Sequence, residues 1–431
     1  MVNQRYVENE CEEIIEKKLD ILNQTTSEKN IYFSKYFGEN AFAHLIDFLN
    51  LKAKHQKVVF LVSEQDYLKY STTSEKYDFE PIILAVDSFD YKTIKAMANT
   101  IDDSIRFILA IGGDKCISVA KQIAKIKNIS LVIYINKCCS LDSFINTSYL
   151  IENNIMQCKK GKGVDALYIE TDGLVVKLDR QALVDSVFNI ISKLGIVVEL
   201  YINCCISKDN GYKTIANEIL RVYSKLNKIL DNAIDLSRED VLSLMDLNIE
   251  LADILARMKY NGNDKESIFA FVYKYLNKET KLSVNALRAV GTQVFIKLYK
   301  DFVINLHSVS NTFFDIEKRV MLFDATFKYT NMQFDLSVPI TDKQIYMLKR
   351  FQSKLLEKIN IINVMIDKLM YKTLDLYNDS GYLFLNSVAQ ETVLKSVYFT
   401  ADIVEEKTLL KIMRNLGVLD FYSNWLVEVV K

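Results

Sequence analysis

A series of short, uninterrupted apolar runs in the first half of the sequence constrains the fold more than any other feature. Four runs rich in valine and isoleucine are followed by a fifth: 57–63 (KVVFLVS), 81–86 (PIILAV), 106–112 (RFILAIG), 130–136 (SLVIYIN) and 165–171 (DALYIET). Such runs are typical of strands that are buried on both faces of a parallel sheet. Between them, 90–103 and 115–128 are long enough for crossover helices. The sequence therefore predicts repeated strand–helix–strand units.

The second half has a different pattern. From Gln181 to Lys431 almost every segment has helical periodicity, with few glycines and a single proline, which predicts an all-helical domain. Residues 1–30 have charged and apolar positions at helical spacing and predict an N-terminal helical arm. The predicted organisation is this arm, a Rossmann-like α/β domain of nucleotide-binding type over 31–178, and an all-α domain over 179–431.

Composition and charge exclude several classes of protein. The 431 residues include 54 basic and 55 acidic side chains, for a net charge of -1, so no broad positive field attracts nucleic acid. No apolar run reaches the length of a membrane helix, and the N-terminus is too acidic and polar for a signal peptide. Seven cysteines without a C-x-x-C spacing predict neither disulfides nor a zinc ribbon. We therefore expect a cytoplasmic protein with no membrane or nucleic-acid partner.

The turn after the third apolar run is the best candidate for a ligand site. Gly112 and Gly113 follow a predicted buried strand and precede a predicted helix. Glycines allow the close approach of a phosphate, and a helix N-terminus offers unpaired amides to it. The alternative is a tight turn without a ligand. Asp114 would repel a phosphate unless Lys115 offsets its charge, or it could simply cap the helix.

Several segments resemble the sn-glycerol-1-phosphate dehydrogenase branch of the iron-containing alcohol dehydrogenase and dehydroquinate synthase superfamily. Gly112, Gly113 and Lys121 match its glycine-rich turn, and Asp142 matches the acid of a Ser-Met-Asp-Gly core. Further matches follow in the same order at 165–174, 189–200, 265–276, 289–299 and 405–420. The resemblance implies a dehydroquinate synthase-like fold. It also implies NAD or NADP at Gly112, Gly113, Lys115 and Lys121, with Asp142 as a catalytic residue.

The resemblance fails at the metal centre. That family holds a divalent metal with one aspartate and two histidines on three helices of the second domain. The matching positions here are Asn189, Ser267 or the adjacent Ile268, and Val290, none of which is a metal ligand of the expected kind. We therefore expect no metal. The three histidines of the chain, His44, His55 and His307, do not rebuild the set.

Two functional hypotheses follow. The first is a catalytically degenerate glycerol-1-phosphate dehydrogenase-like protein with a binding or partner-scaffold role, in a homo- or hetero-oligomer and with a small phosphorylated ligand. The second is an NAD(P)-dependent oxidoreductase that acts on a phosphorylated polyol or related carbonyl compound without a metal. In that case Lys193 or Tyr201 would supply the proton, although a solvated lysine and a packed tyrosine are the simpler interpretations of these two residues.

Overall fold

A computed structural model of the chain describes residues 34–71, 77–172, 179–207, 209–231, 236–258, 264–307, 316–335, 342–376, 388–404 and 408–419. The predicted N-terminal arm, residues 1–30, lies outside the described residues. Within them, the chain forms a parallel α/β region followed by helices, which confirms the predicted fold class.

Six parallel strands form the main sheet, and an antiparallel hairpin lies beside it. The strands are β1 (Ser34–Gly38), β2 (Lys57–Ser63), β3 (Glu80–Val86), β4 (Phe107–Ile111), β5 (Ser130–Ile135), β6 (Thr147–Glu152), β7 (Ile155–Lys160) and β8 (Ala166–Glu170). The sheet order is β1-β8-β5-β4-β2-β3, with β6 and β7 paired separately. All five predicted runs are strands of the sheet. The hairpin turns at Asn153 and Asn154, whose positive φ angles of 50° and 64° suit a two-residue loop.

Fifteen helices are described. They are α1 (Ala41–Lys52), α2 (Tyr67–Ser71), α3 (Tyr91–Thr100), α4 (Asp114–Lys127), α5 (Arg180–Ser192), α6 (Leu194–Ser207), α7 (Gly211–Ile229), α8 (Arg238–Arg257), α9 (Lys265–Leu276), α10 (Val284–Ile304), α11 (Ile316–Phe327), α12 (Asp342–Arg350), α13 (Gln352–Leu376), α14 (Gln390–Ile403) and α15 (Leu409–Asn415). The predicted crossover helices at 90–103 and 115–128 correspond to α3 and α4.

The chain divides into two compact units. The α/β unit comprises Lys29–Val187 and Leu236–Gly262, and the helical unit includes Phe188–Asp235 and Asn263–Lys431. Helix α8 thus belongs with the sheet, although it lies beyond the single boundary that the sequence predicts at 178. Its Asn248 donates to the Ser186 hydroxyl at 2.9 Å, and its Arg238 contacts Asp172 at 2.6 Å. Helical periodicity alone does not reveal which unit a helix packs against.

Among the residues that the structure describes, one helical stretch is long and apolar enough to span a membrane by length and composition. It runs over Arg180–Ser207, and 61% of its most apolar window is buried inside the protein. A core helix of a soluble protein passes the same test, so this stretch is weak evidence for a membrane span.

Candidate functional site

The glycine turn at the carboxyl end of β4 has the backbone geometry that the sequence predicts. Gly112 has a φ of +129°, a conformation in which other residues are strained. Gly113 is the N-cap of α4 and has no side chain to bond the first amides of the helix. A Cβ at Gly113 would meet only Lys137 Cε, at 3.7 Å. The turn therefore leaves the N-terminus of α4 open to a small anionic group.

Asp114 does not cap the helix, because it is the first residue of α4 and Gly113 occupies the N-cap position. Its carboxylate accepts hydrogen bonds from the Ser140 amide, at 3.0 Å, and from the Ser143 hydroxyl. Burial raises the pKa of Asp114, while these hydrogen bonds oppose the rise. The carboxylate thus ties the 140–143 loop to the start of α4, and its partners are residues of the protein.

Two lysines lie beside the turn. Lys115, a predicted cofactor-binding residue, is the second residue of α4. Its ammonium donates to the Asp87 carbonyl oxygen. The Lys137 side chain lies against Gly112 and Gly113, with Cε 3.8 and 3.7 Å from the positions that a Cβ would occupy on these glycines. Its Nζ is 3.4 Å from Asp66 Oδ2. Sequence reasoning missed Lys137. Its place directly after β5 was the available signal, since ligands bind at the carboxyl ends of parallel strands.

Lys121 and Asp142 lie inside the α/β unit. Lys121 is 0% exposed, and its Nζ donates to the carbonyl oxygens of Asp142, Ile145 and Thr147 at 2.7, 2.6 and 3.3 Å. Burial lowers the pKa of Lys121 to about 8, and Asp142 and Asp114 oppose the shift. The Lys121 ammonium therefore holds the loop that carries Asp142, and the cofactor contact of Lys121 stays a prediction. Asp142 is itself buried, in a short 3-10 turn.

The three positions that match the metal ligands of the resembled family lie on three helices, within the helical unit, and are all buried. Asn189 is on α5, Ser267 on α9 and Val290 on α10. The Thr292 hydroxyl of α10 lies within hydrogen-bond distance of two carbonyl oxygens, that of Arg288 in its own helix at 2.9 Å and that of Ser192 at the end of α5 at 3.0 Å. The side chains of Asn189 and Ser267 have no hydrogen-bond partner among the residues that the structure describes. These buried polar side chains therefore form a polar centre in the helical unit, but they are not side chains that suit a metal.

A buried ion pair lies next to these positions. Lys193, one turn after Asn189 and 0% exposed, places Nζ 2.7 Å from Asp264 Oδ2, and Asp264 is 7% exposed. The other carboxylate oxygen accepts from the Ser267 amide at 2.7 Å and so caps α9. Burial opposes the ionisation of Asp264, but Lys193 and Arg288 outweigh it and hold the pKa of that carboxyl well below its usual range. The predicted catalytic lysine is thus a partner in an internal ion pair.

A divalent metal does not fit this group of residues. An amide, a hydroxyl and an isopropyl group occupy the three positions, and the positive charges of Lys193 and Arg288 would repel a dication. Over the described ranges, no group of three or more His, Cys, Asp or Glu side chains is placed to hold a metal. His44 packs on Tyr36 in the α/β unit, with ring centroids 4.4 Å apart, and His307 is exposed.

A second buried charge cluster lies in the helical unit. Lys265 Nζ is 3.1 Å from Glu199 Oε1 and 2.9 Å from Glu266 Oε1. Tyr299 donates to Glu199 at 2.8 Å. Burial raises the pKa of Glu266 to about 7, against the opposing effect of Lys265. The sequence did not predict this cluster.

Tyr201, the second predicted proton donor, is buried and donates to Asn217 Oδ1 at 3.2 Å.

No family model and no curated protein sequence matches the chain, whereas solved structures do. It is similar to glycerol dehydrogenase from Schizosaccharomyces pombe, with a TM-score of 0.53 and 15% identity over 94% of both chains. It is also similar to NADH-dependent butanol dehydrogenase A from Thermotoga maritima, with a TM-score of 0.56 and 12% identity over 93% of this chain and 98% of that one. Maleylacetate reductase from Agrobacterium tumefaciens has a TM-score of 0.54 and 10% identity, over 91% and 97%. The chain therefore has the fold of the iron-containing and glycerol dehydrogenases.

Proposed function

We propose that this chain is a catalytically degenerate, glycerol-1-phosphate dehydrogenase-like protein that has a binding or partner-scaffold role. The observation that carries the proposal is the Lys193–Asp264 ion pair, with an Nζ to Oδ2 distance of 2.7 Å. It lies beside the positions where the resemblance implies metal ligands. The chain has its own buried cations there, in place of side chains that would bind one.

The ion pair also engages Lys193, one of the two predicted proton donors of a metal-free reaction. The other, Tyr201, is buried and donates to Asn217 Oδ1. Hydride transfer to a carbonyl develops negative charge on oxygen, which a metal would stabilise by several kcal/mol. Lys193 is the candidate substitute, but it is 0% exposed and bound by Asp264. A general acid must reach the proton acceptor within hydrogen-bond distance. A substrate could meet that condition only if the ion pair broke.

The α/β unit supports retained binding of a phosphorylated ligand, NAD or NADP among them. The φ of Gly112 and the open N-cap at Gly113 give a phosphate access to the amides of α4. Lys115 and Lys137 supply positive charge beside the turn. The hydrogen bonds from Ser140 and Ser143 occupy the Asp114 carboxylate and reduce its repulsion of a phosphate. We assign this binding to the turn alone.

The same turn is the one observation that favours the alternative function, an NAD(P)-dependent oxidoreductase acting on a phosphorylated polyol or related carbonyl compound by a metal-independent route. A dinucleotide at Gly112 and Gly113 would be the hydride carrier in that case. The alternative requires a proton donor other than Lys193.

Ligand binding and turnover measured on one preparation test both functions. Calorimetry and thermal shifts would use NAD, NADP and their reduced forms, and turnover would use glycerol-1-phosphate and dihydroxyacetone phosphate with and without added zinc. We expect dinucleotide binding without turnover. Gly113→Val is the variant that tests the assignment to the turn. The extended backbone at Gly113 (φ -88°, ψ -173°) accepts a β-branched residue, and the added side chain should block ligand access to the helix start. Turnover by the purified chain would contradict the degenerate assignment, and unchanged binding by Gly113→Val would contradict the assignment to the turn.

The scaffold role implies a homo- or hetero-oligomer in the cytoplasm. Light scattering of the purified chain, and of the chain with an active relative of the same fold, would detect either assembly. A monomer in both samples would contradict the partner-scaffold role and leave only the ligand-binding role.

A further inference from the structure

We propose that the ammonium group of Lys193 takes the place of a divalent cation in joining helices α5 and α9 in the helical unit. The inference concerns the same site as the proposed function but does not depend on the loss of turnover. It explains how the two helices stay together at a polar centre whose described side chains include no metal-binding set.

The Asp264 carboxylate makes two different connections. One oxygen binds Lys193 Nζ, directly after the end of α5, at 2.7 Å. The other accepts from the Ser267 amide at 2.7 Å and caps α9. The Asp264 carboxylate thus links the lysine that follows α5 to the start of α9. A metal ion bound by side chains from both helices would make the same kind of link.

Helix α10 contributes through Arg288, which is fully buried and donates from Nη1 to Asn285 Oδ1 at 2.7 Å. Its positive charge is the second attractive influence on the ionised form of Asp264, after that of Lys193. One turn later, the Thr292 hydroxyl bonds the Ser192 carbonyl. Helix α10 thus adds a second buried cation and a hydroxyl near the end of α5, whereas the direct connection through the Asp264 carboxylate is between Lys193 and α9.

Because the Lys193–Asp264 ion pair is buried, it stabilises the fold only while both of its charged partners are present. Removing one member of a buried ion pair leaves the other as an uncompensated charge, whereas replacing both by neutral groups is often tolerated. This asymmetry gives the proposal a double-mutant test. Asn is as good an N-cap as Asp, so Asp264→Asn removes the charge and keeps the cap of α9.

The first experiment is urea unfolding of Lys193→Met, Asp264→Asn and the double variant. We expect each single substitution to lower the folding equilibrium constant by about 10² to 10³-fold, and the double variant to recover most of that loss. Lys395→Met is the control, because it removes only an exposed pair with Glu391 and should change the constant by about fivefold at most. If Lys193→Met does not fold, Asp264→Asn and the double variant still decide the sign. Losses that simply add in the double variant would overturn the proposal.

The second experiment tests replacement of the metal directly. EDTA should leave the unfolding midpoint of the chain unchanged. Asn189→Asp, Ser267→His and Val290→His would then be introduced together, with Lys193 retained or changed to Met, and zinc binding measured by calorimetry. We expect zinc affinity to be at least about tenfold higher in the Lys193→Met background, because a neighbouring positive charge no longer repels the ion. Equal affinity in both backgrounds, or a loss of stability with EDTA, would overturn the proposal. Turnover by the native chain would contradict the proposed function and leave this inference standing.

Discussion

The glycine turn of the α/β unit and the polar centre of the helical unit differ in what builds them. The turn is built mainly from backbone features, which are a positive φ at Gly112, an open N-cap at Gly113 and the amides of α4. In the helical unit, buried side chains decide the chemistry, and Lys193 and Asp264 form an ion pair where the resemblance implies metal ligands.

The two kinds of site differ in how many specific side chains they require. A phosphate turn needs two small residues and a helix, and many sequences supply these. A metal centre needs three specific donors in a fixed geometry, and each substitution at a donor removes affinity. Substitutions in the helical unit should therefore act through side-chain packing and charge, and those at the turn through backbone conformation.

The largest effect is expected at Gly195 in the helical unit. A Cβ there would lie 1.8 Å from Glu266 Oε1, and Glu266 is fully buried and paired with Lys265. We expect Gly195→Ala to lower the free energy of unfolding by about 3 kcal/mol. Gly211→Ala is the control, since its nearest neighbour is the exposed carboxylate of Asp209, and it should be nearly neutral. Chemical denaturation of both variants measures the difference, and equal stabilities would show that Glu266 is not held against Gly195.

The next effect is a pH dependence from Glu266. Its pKa is raised from 4.5 to about 7 by burial, so the folded state binds this proton more tightly than the unfolded state. Its contribution to stability is therefore full below pH 4.5, falls as the pH rises towards 7 and is constant above that. The total change is about 3 kcal/mol. Glu266→Gln should remove this slope, while the exposed Glu279→Gln should keep it. A slope that survives Glu266→Gln would assign the titration to another group.

A smaller effect is expected at the turn, where backbone strain is the cause. Gly112→Ala should lower the free energy of unfolding by about 1 to 2 kcal/mol, because alanine is strained at a φ of +129°. Gly113→Ala should be close to neutral, since its φ is -88° and a Cβ meets only Lys137 Cε at 3.7 Å. Thermal unfolding of the two variants measures the contrast. Equal losses would mean that side-chain packing, and not the φ of Gly112, limits substitution here.

The smallest effect concerns the charge beside the turn. Lys137→Met should weaken dinucleotide binding by about fivefold and reduce its dependence on salt concentration, because one contact with a phosphate is lost. Lys127→Met is the control, because Lys127 pairs with Asp103 at the other end of α4. Calorimetry at two salt concentrations measures both quantities. Equal salt dependence in the two variants would exclude Lys137 from the binding site.

The sheet could be predicted from the sequence because a strand buried on both faces leaves a local record of consecutive apolar residues. Strand β1 (SKYFG) and the hairpin strand β7 (IMQCKK) are short and half polar, and neither leaves such a record. The turn at Gly112 was predictable for the same local reason. These features depend on residues that are neighbours in the chain.

The polar centre of the helical unit was not predictable in this way. Lys193 and Asp264 are 71 positions apart, and an isolated lysine in a helical pattern indicates a solvated face. The charges of Lys265 and Glu266 in the helix KESIFAFVYKYL have the same appearance. Burial of a charge depends on which helices pack around it, and no local pattern contains that information.

Elemental analysis for zinc, iron and nickel, on the chain purified without chelator, tests directly whether the polar centre holds a metal. We predict far less than one metal ion per chain, because an ion pair of the protein's own residues occupies the polar centre. One metal ion per chain, lost on dialysis against EDTA together with stability, would contradict it.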